Sequence, residues 1–190
     1  MKADLYDFDK TVYDGDSGMD FWKYCIKRKP SLIIYLPYQL ICAVKFYLKL
    51  GDQSKNKEAL FCYFPKINAE KYARDFWEKN RHKIFDFFLP ENRENPAVVC
   101  SASPEFFLRI ICKELKVHAL IGTVVDPQTG KLLSENCRRE EKVRRLKRAL
   151  PGYEFVNVFS DSITNDMPIL TLGENAYQVV KGKPVQVKIK

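Results

Sequence analysis

The feature that most constrains this 190-residue chain is the end of its first apolar run. Ala3-Asp4-Leu5-Tyr6 passes directly into Asp7-Phe8-Asp9-Lys10-Thr11. The run reads as a β-strand, and the two acids fall at its C-terminal end, where open α/β sheets place their ligands. Carboxylates one residue apart repel unless a cation or a shared proton lies between them. A hard cation such as Mg²⁺ beside a phosphorylated ligand meets that requirement. D-x-D-x-T also occurs in ordinary surface turns, so its weight depends on what the rest of the chain brings to the same edge.

Four further strands are predicted: Ala97–Ser101, His118–Val125, Tyr153–Phe159 and Ala176–Val180. The turn Asp126-Pro-Gln-Thr-Gly130 after the second of these predicts a hairpin. Helices are predicted between the strands. Pro104–Leu115 has Ser103 as N-cap and Pro104 at its first position, and Glu140–Leu150 is amphipathic and ends at Pro151-Gly152. Strands alternating with helices predict a parallel sheet with right-handed crossovers.

The stretch from Asp16 to about Pro90 has a different character. It shows no convincing strand and is rich in aromatic residues and lysine. Asp20 to Lys83 carries 14 Lys/Arg against 6 Asp/Glu, which accounts for the whole net charge of +8. We read residues 16–90 as a helical cap inserted after the first strand, above Asp7 and Asp9, and residues 1–15 and 91–190 as the core. A basic cap attracts phosphoesters or acidic lipid surfaces. Nucleic acid is not expected, because no helix-turn-helix, zinc or RNA-binding signature accompanies the charge. Six scattered cysteines without a C-x-x-C pair read as free buried thiols of a reducing compartment, and the N-terminus shows no secretory leader, so a cytoplasmic location is expected. With only His82 and His118, a histidine-based zinc site or serine triad has little material.

Three more features lie at the ends of predicted core elements. Ser101 closes the second core strand, Lys142 lies near the start of the helix after the hairpin, and Phe159-Ser-Asp-Ser-Ile-Thr-Asn-Asp-Met-Pro168 supplies Asp161 and Asp166. Each has an ordinary reading: a strand end, one basic residue among several, a helix cap. Together they provide a hydroxyl, an ammonium and a second carboxylate pair, the inventory for gripping a phosphoryl group and an oxygen-loving cation.

The motifs Asp7-Phe-Asp-Lys-Thr11, Val98-Val-Cys-Ser-Ala-Ser-Pro104, Cys137-Arg-Arg-Glu-Glu-Lys-Val143 and Asp161-Ser-Ile-Thr-Asn-Asp166 with Pro168 resemble, in this order, the haloacid dehalogenase superfamily, and more closely its phosphoserine-phosphatase-like branch. The resemblance covers nearly the whole chain. It implies a Rossmann-like three-layer α/β core with a parallel sheet and an inserted helical cap. It further implies an Mg²⁺-dependent phosphomonoester hydrolase in which Asp7 is the nucleophile that forms an aspartyl-phosphate, and Asp9 the general acid and base. Mg²⁺ would be held by the Asp7 side chain, the Asp9 backbone carbonyl, Asp161, and Asp166 directly or through water. Thr11, Ser101 and Lys142 would bind phosphoryl oxygens, with Ser103 an alternative to Ser101 that suits an N-cap better. Dehalogenases of the superfamily lack the second acid and need no Mg²⁺, because a halide leaves without protonation. Asp9 therefore points to phosphoester chemistry.

The substrate is expected to be chosen by the cap. Phosphoserine phosphatases hold the substrate's amino group with a glutamate soon after the first motif, whereas the first glutamate here is Glu58. Phosphoserine is therefore the less favoured substrate. Leu32–Val44 is apolar except for Gln39, but 13 residues containing Pro37 fall short of the ~20 that span a bilayer. With Lys27-Arg-Lys29 before it, the segment reads either as a packed cap helix or as one lying peripherally on an anionic membrane. The resemblance also implies lipid phosphates as candidates, since some relatives with similar caps act on substrates such as phosphatidylglycerophosphate. The candidate substrates are thus phosphorylated small molecules or lipids, and a non-catalytic binder of phosphorylated ligands is the remaining alternative.

Overall fold

The computed structural model describes residues 1–189, the side chain of Gln53 excepted. Six strands form one sheet: β1 (Lys2–Tyr6), β2 (Ala97–Pro104), β3 (Ala119–Thr123), β4 (Glu154–Ser160), β5 (Gly173–Val180) and β6 (Lys183–Val187). Their order is β3-β2-β1-β4-β5-β6, parallel except for the β5–β6 pair. The chain runs outward from β1 through β2 to β3, then returns to β4 on the other side of β1. That reversal opens a crevice beyond the carboxyl ends of β1 and β4, the usual ligand position in such sheets. Asp7 follows β1 and Asp161 follows β4, so the topology brings them to one edge.

Among the described residues there are seven α-helices: α1 (Ser17–Arg28), α2 (Leu36–Tyr47), α3 (Gln53–Glu58), α4 (Ala69–Asn80), α5 (Glu105–Glu114), α6 (Glu140–Ala149) and α7 (Ile163–Leu170). The period-two alternation of the strands sends Leu5, Val98 and Val158 to one face, where Leu146 of α6 and Ile169 of α7 cover them. Tyr6, Val99 and Phe159 face the other way, toward α5. On this side the core is aromatic and continues without a break into the helices between β1 and β2. The rings of Trp77 of α4 and Phe107 of α5 meet at a tilt with centroids 4.9 Å apart, the indole N–H donates to the Phe107 carbonyl at 2.8 Å, and Phe8 meets the indole edge-on at 5.8 Å. Burying an aromatic side chain stabilises by roughly 2–3 kcal/mol, so this cluster anchors α4 firmly to the core.

Residues 17–92 form helices and 3₁₀ turns with no named strand among the described residues, as the sequence predicts. Helix α1 is capped by the Asp16 side chain accepting from Met19 N–H, and α4 by Asn68 accepting from Lys71 N–H. On α4, Ala69, Ala73, Phe76 and Trp77 form the buried stripe at helical spacing. The turn at 126–130 closes a minimal hairpin through the Val125–Leu132 bridge. Gly130 there adopts φ +75°, and a Cβ would lie 2.2 Å from the Phe61 carbonyl oxygen, so the turn seats against the inserted helices only with glycine.

Three expectations are corrected. Strand β2 runs on to Pro104, and α5 begins at Glu105 with Pro104 in the cap position and no side-chain cap, so Ser103 is not an N-cap. The apolar segment 32–44 is divided between a 3₁₀ turn at Pro30–Tyr35 and α2, because Pro37 falls in the first turn of the new helix. Strand β6 went unpredicted: Lys183-Pro-Val-Gln-Val187 is polar and exposed, and its pairing to β5 through the Lys181-Gly182 turn leaves no burial pattern to read.

Candidate active site

After Tyr6 the chain turns at once. The Phe8 carbonyl accepts the N–H groups of Thr11, Val12 and Tyr13 at 3.3, 2.8 and 3.0 Å, and Lys10 is left-handed at φ 60°. Such a conformation in a non-glycine residue costs of order 1 kcal/mol or more and persists only where surroundings enforce it. The tight turn gives Asp7 and Asp9 separate partners, which resolves the repulsion implied by their spacing.

Asp7 is fixed beside β4 by its N–H donating to the Phe159 carbonyl at 2.9 Å. Its Oδ1 accepts from Lys142 Nζ at 2.7 Å, and the same ammonium donates to Asp166 Oδ1 at 2.9 Å. Asp166 Oδ2 accepts from the Ser160 hydroxyl at 2.7 Å. The Thr11 hydroxyl lies 3.4 Å from Asp7 Oδ2 and accepts the Asp161 N–H at 2.8 Å, tying the loop after β1 to the loop after β4. Carboxylate oxygens of Asp7, Asp161 and Asp166 all lie within 4.8 Å of one another.

Burial pushes the Asp7 carboxyl up to about 7, with Lys142 opposing and Asp166 adding. Burial works against the charge on Lys142, but Asp7 and Asp166 outweigh it and hold the ammonium above the ordinary lysine range. Burial also raises Asp161, Lys10 opposing. Three carboxylates therefore face one buried ammonium, and the Asp161 carboxylate accepts no hydrogen bond from another residue among those described. An all-oxygen cluster with excess negative charge fits a hard divalent cation.

The Asp9 carboxylate points into a different environment. Its Oδ1 accepts the Ser17 N–H, at the start of α1, and its Oδ2 accepts the Ser103 hydroxyl, both at 2.7 Å. Burial raises this carboxyl, while the bonds from Ser17 and Ser103 oppose. Ser101 Oγ accepts the Ser103 N–H at 3.1 Å and is buried within β2, two residues past Val99, which pairs with Tyr6. The structure thus gathers Asp7, Thr11, Lys142, Asp161 and Asp166 into one network. Asp9 stands beside it through its side chain, and Ser101 within the neighbouring strand β2.

Sequence reasoning missed Ser160, Ser17 and Lys57 and assigned Ser103 to a cap. Ser160 directly precedes the Asp161 motif, and its place at a strand end was the available signal. A cavity of ≈ 380 Å³ opens from Asp9 and Ser103 and is walled by Phe21 and Trp22 of α1, Leu36 and Leu40 of α2, and Phe107 of α5. Lys57 also lines it. Burial holds its ammonium below the ordinary lysine range, Asp9 and Asp16 oppose that shift, and it makes no salt bridge among the described residues.

The family model for haloacid dehalogenase-like hydrolases matches residues 5–171, from within β1 to just past the end of α7. The chain belongs to this family. Among solved structures it is similar to a Bordetella pertussis Tohama I protein of unknown function, at 18% identity and a TM-score of 0.74 over 93% of this chain and 89% of that one. It is also similar to a probable phosphoserine phosphatase from Vibrio cholerae, at 12% identity and a TM-score of 0.65 over 93% of this chain and 55% of that one. A HAD family hydrolase from Salmonella enterica serovar Typhi matches at 10% identity and a TM-score of 0.64, over 90% and 60% of the two chains. These likenesses establish the fold, and the chain spans only about three-fifths of the latter two proteins' lengths. A search of the curated proteins found no match.

Proposed function

We propose that the chain is an Mg²⁺-dependent phosphomonoester hydrolase acting through an aspartyl-phosphate on Asp7. The observation that carries this reading is the Asp7–Lys142–Asp166 network with Asp161 beside it, set apart from an Asp9 that has its own donors. Lys142 holds Oδ1 and so orients the Asp7 carboxylate for in-line attack on phosphorus, forming an Asp7–phosphorus bond as the bond to the leaving oxygen breaks. Asp9, with its carboxyl raised by burial, gives that oxygen a proton. It then takes a proton from the water that attacks the phosphoenzyme, releasing inorganic phosphate and restoring Asp7. Mg²⁺, held by Asp7, the Asp9 carbonyl, Asp161 and Asp166, would supply charge neutralisation for the transferring phosphoryl group. Since Ser160 and Lys142 already occupy both Asp166 oxygens, contact through water suits Asp166 better than direct ligation. Thr11, Ser101 and Lys142 would orient the phosphoryl oxygens, and residues 16–90 would act as the cap over the core of 1–15 and 91–190.

The direct test is hydrolysis of an aryl phosphate. Chelation is expected to abolish turnover and Mg²⁺ to restore it. Mg²⁺ at a hundredfold its Kd should raise stability by about 2.7 kcal/mol, read as a rise in Tm. A protein that is inactive with every divalent cation, and whose Tm ignores them, would refute the reading. Asp9→Asn is expected to lower kcat/KM by about 10²–10⁴-fold. The wild-type profile should fall on the alkaline side as Asp9 loses its proton, and the variant should lack that limb.

A finer reading of the substrate is favoured by the cavity. Its walls are apolar, and Lys57 is the ammonium that faces it without an ion pair, so it suits a leaving group with an apolar body and an anionic or carbonyl oxygen near the ester. A lipid phosphate combines these features; phosphoserine, with an ammonium beside its ester, does not. In a panel of phospho-amino acids, sugar phosphates, nucleotides, phosphocholine and short-chain lipid phosphates, the last class should show the highest kcat/KM. Lys57→Ala should raise KM for that class by roughly tenfold, about 1.4 kcal/mol. Phosphoserine ranking first would refute the lipid reading while leaving the hydrolase reading intact.

A further inference from the structure

Helix α2 is inside out. Its buried side chains include the polar Gln39, whose amide oxygen accepts the Trp22 indole N–H at 2.8 Å and whose amide nitrogen donates to the Leu60 carbonyl at 3.1 Å. The residues it turns outward are apolar: Ile41 and Val44 are each 57% exposed and Tyr47 85%, and Ile34 in the preceding turn is 71% exposed. Helix α4 follows the opposite rule: Ala73, Phe76 and Trp77 are buried, and Lys71, Arg74, Glu78 and Lys79 are exposed. Contiguous exposed apolar surface of this kind marks a docking face.

Charge decides what covers it. From Phe21 to Gly51 the chain contains no Asp or Glu, but has Lys23, Lys27, Arg28, Lys29, Lys45 and Lys49. Arg28 is engaged with Asp75 and Lys23 with Asp20, whereas Lys27, Lys29, Lys45 and Lys49 make no salt bridge among the described residues. A second copy of the chain would oppose this positive rim with its own. An anionic lipid surface complements both the rim and the apolar centre. No described helix is long and apolar enough to cross a membrane, and the 12 residues of α2 are about 18 Å long, so the helix would lie along the interface.

We propose that the Ile34–Leu48 face docks the protein on an anionic lipid bilayer. The same helix forms the wall of the cavity beside Asp9: Leu40 lines the cavity and is 56% exposed, as is Met19 of α1 to a similar degree. The apolar face therefore continues into the cavity at that edge, and a docked protein receives an apolar-bodied phosphomonoester from the lipid side. This last step rests on the hydrolase reading above; docking does not.

The test is sedimentation with vesicles of phosphatidylcholine alone or mixed with phosphatidylglycerol, using wild-type and Asp7→Asn proteins. Both should bind the mixed vesicles, not the neutral ones, and binding should weaken as salt rises. Ile41→Glu/Val44→Glu, at positions outside the cavity lining, should weaken binding by about tenfold or more. The same variant should hydrolyse a soluble aryl phosphate at the wild-type rate. Absence of vesicle binding, or binding unchanged in the double variant, would overturn docking. So would concentration-dependent dimerisation that the double variant abolishes, since the face would then belong to a second copy. Vesicle binding by Asp7→Asn in a protein whose wild type lacks hydrolytic activity would separate failure of the hydrolase reading from failure of docking.

Discussion

Asp7→Asn is expected to reduce phosphatase turnover by on the order of 10⁴-fold or more, the scale on which loss of a nucleophile is felt. The amide has the carboxylate's shape, and it can still accept from Lys142 through its oxygen. What it loses is the negative charge and the ability to form the acyl phosphate. The variant should fold, because it also removes one of the three clustered carboxylates whose mutual repulsion burial makes costly. Comparable Tm with abolished turnover is the expected pair of results. Retained activity would move the nucleophile elsewhere.

Lys142→Met is expected to fail differently, in stability as well as activity. It leaves Asp7 and Asp166, both buried, without the ammonium that joins them at 2.7 and 2.9 Å. Breaking such a pair by removing one partner costs about 3–5 kcal/mol. Urea unfolding should show that loss in chelator, and Mg²⁺ should recover part of it by neutralising the same carboxylates. Adding Asp166→Asn should also recover part, because residues in one charge network do not act additively. A loss below ~1 kcal/mol would mean that solvent reaches the network and that Lys142 is not its organising charge.

The core of this site was legible in the sequence because Asp7, Asp161, Lys142 and Asp166 sit just past a strand or in a first helical turn, where pattern and topology coincide. Asp7, Ser101 and Asp161 follow β1, close the apolar run of β2 and follow β4, and strand alternation with helices places all three at one edge. The division of labour between the two acids was less legible. It depends on Ser17 and Ser103 as donors to Asp9. Ser103 before a proline has the local chemistry of a cap, and only the extension of β2 turns its hydroxyl into the site. Lys57 could not be told from the other lysines of a basic segment until α2 and α3 closed around the cavity. Strand β6 carries no buried stripe, so periodicity had nothing to report. The segment 32–44 misleads in the opposite sense: its apolar content reads equally as a packed helix or an interfacial one. Which face Gln39 buries is decided by two tertiary hydrogen bonds, to Trp22 and Leu60.

The central claim, that phosphate passes through Asp7, is tested most directly by trapping the intermediate. In Asp9→Asn the base for the hydrolytic water is missing, so the phosphoenzyme should accumulate when the variant meets an aryl phosphate and Mg²⁺. Acid quenching and peptide mass analysis should then find phosphate on the N-terminal peptide at Asp7, labile to hydroxylamine as an acyl phosphate must be, and absent when Mg²⁺ is chelated. Turnover by the wild type with phosphate found on another residue, or with none trapped in the variant under any quench, would contradict it.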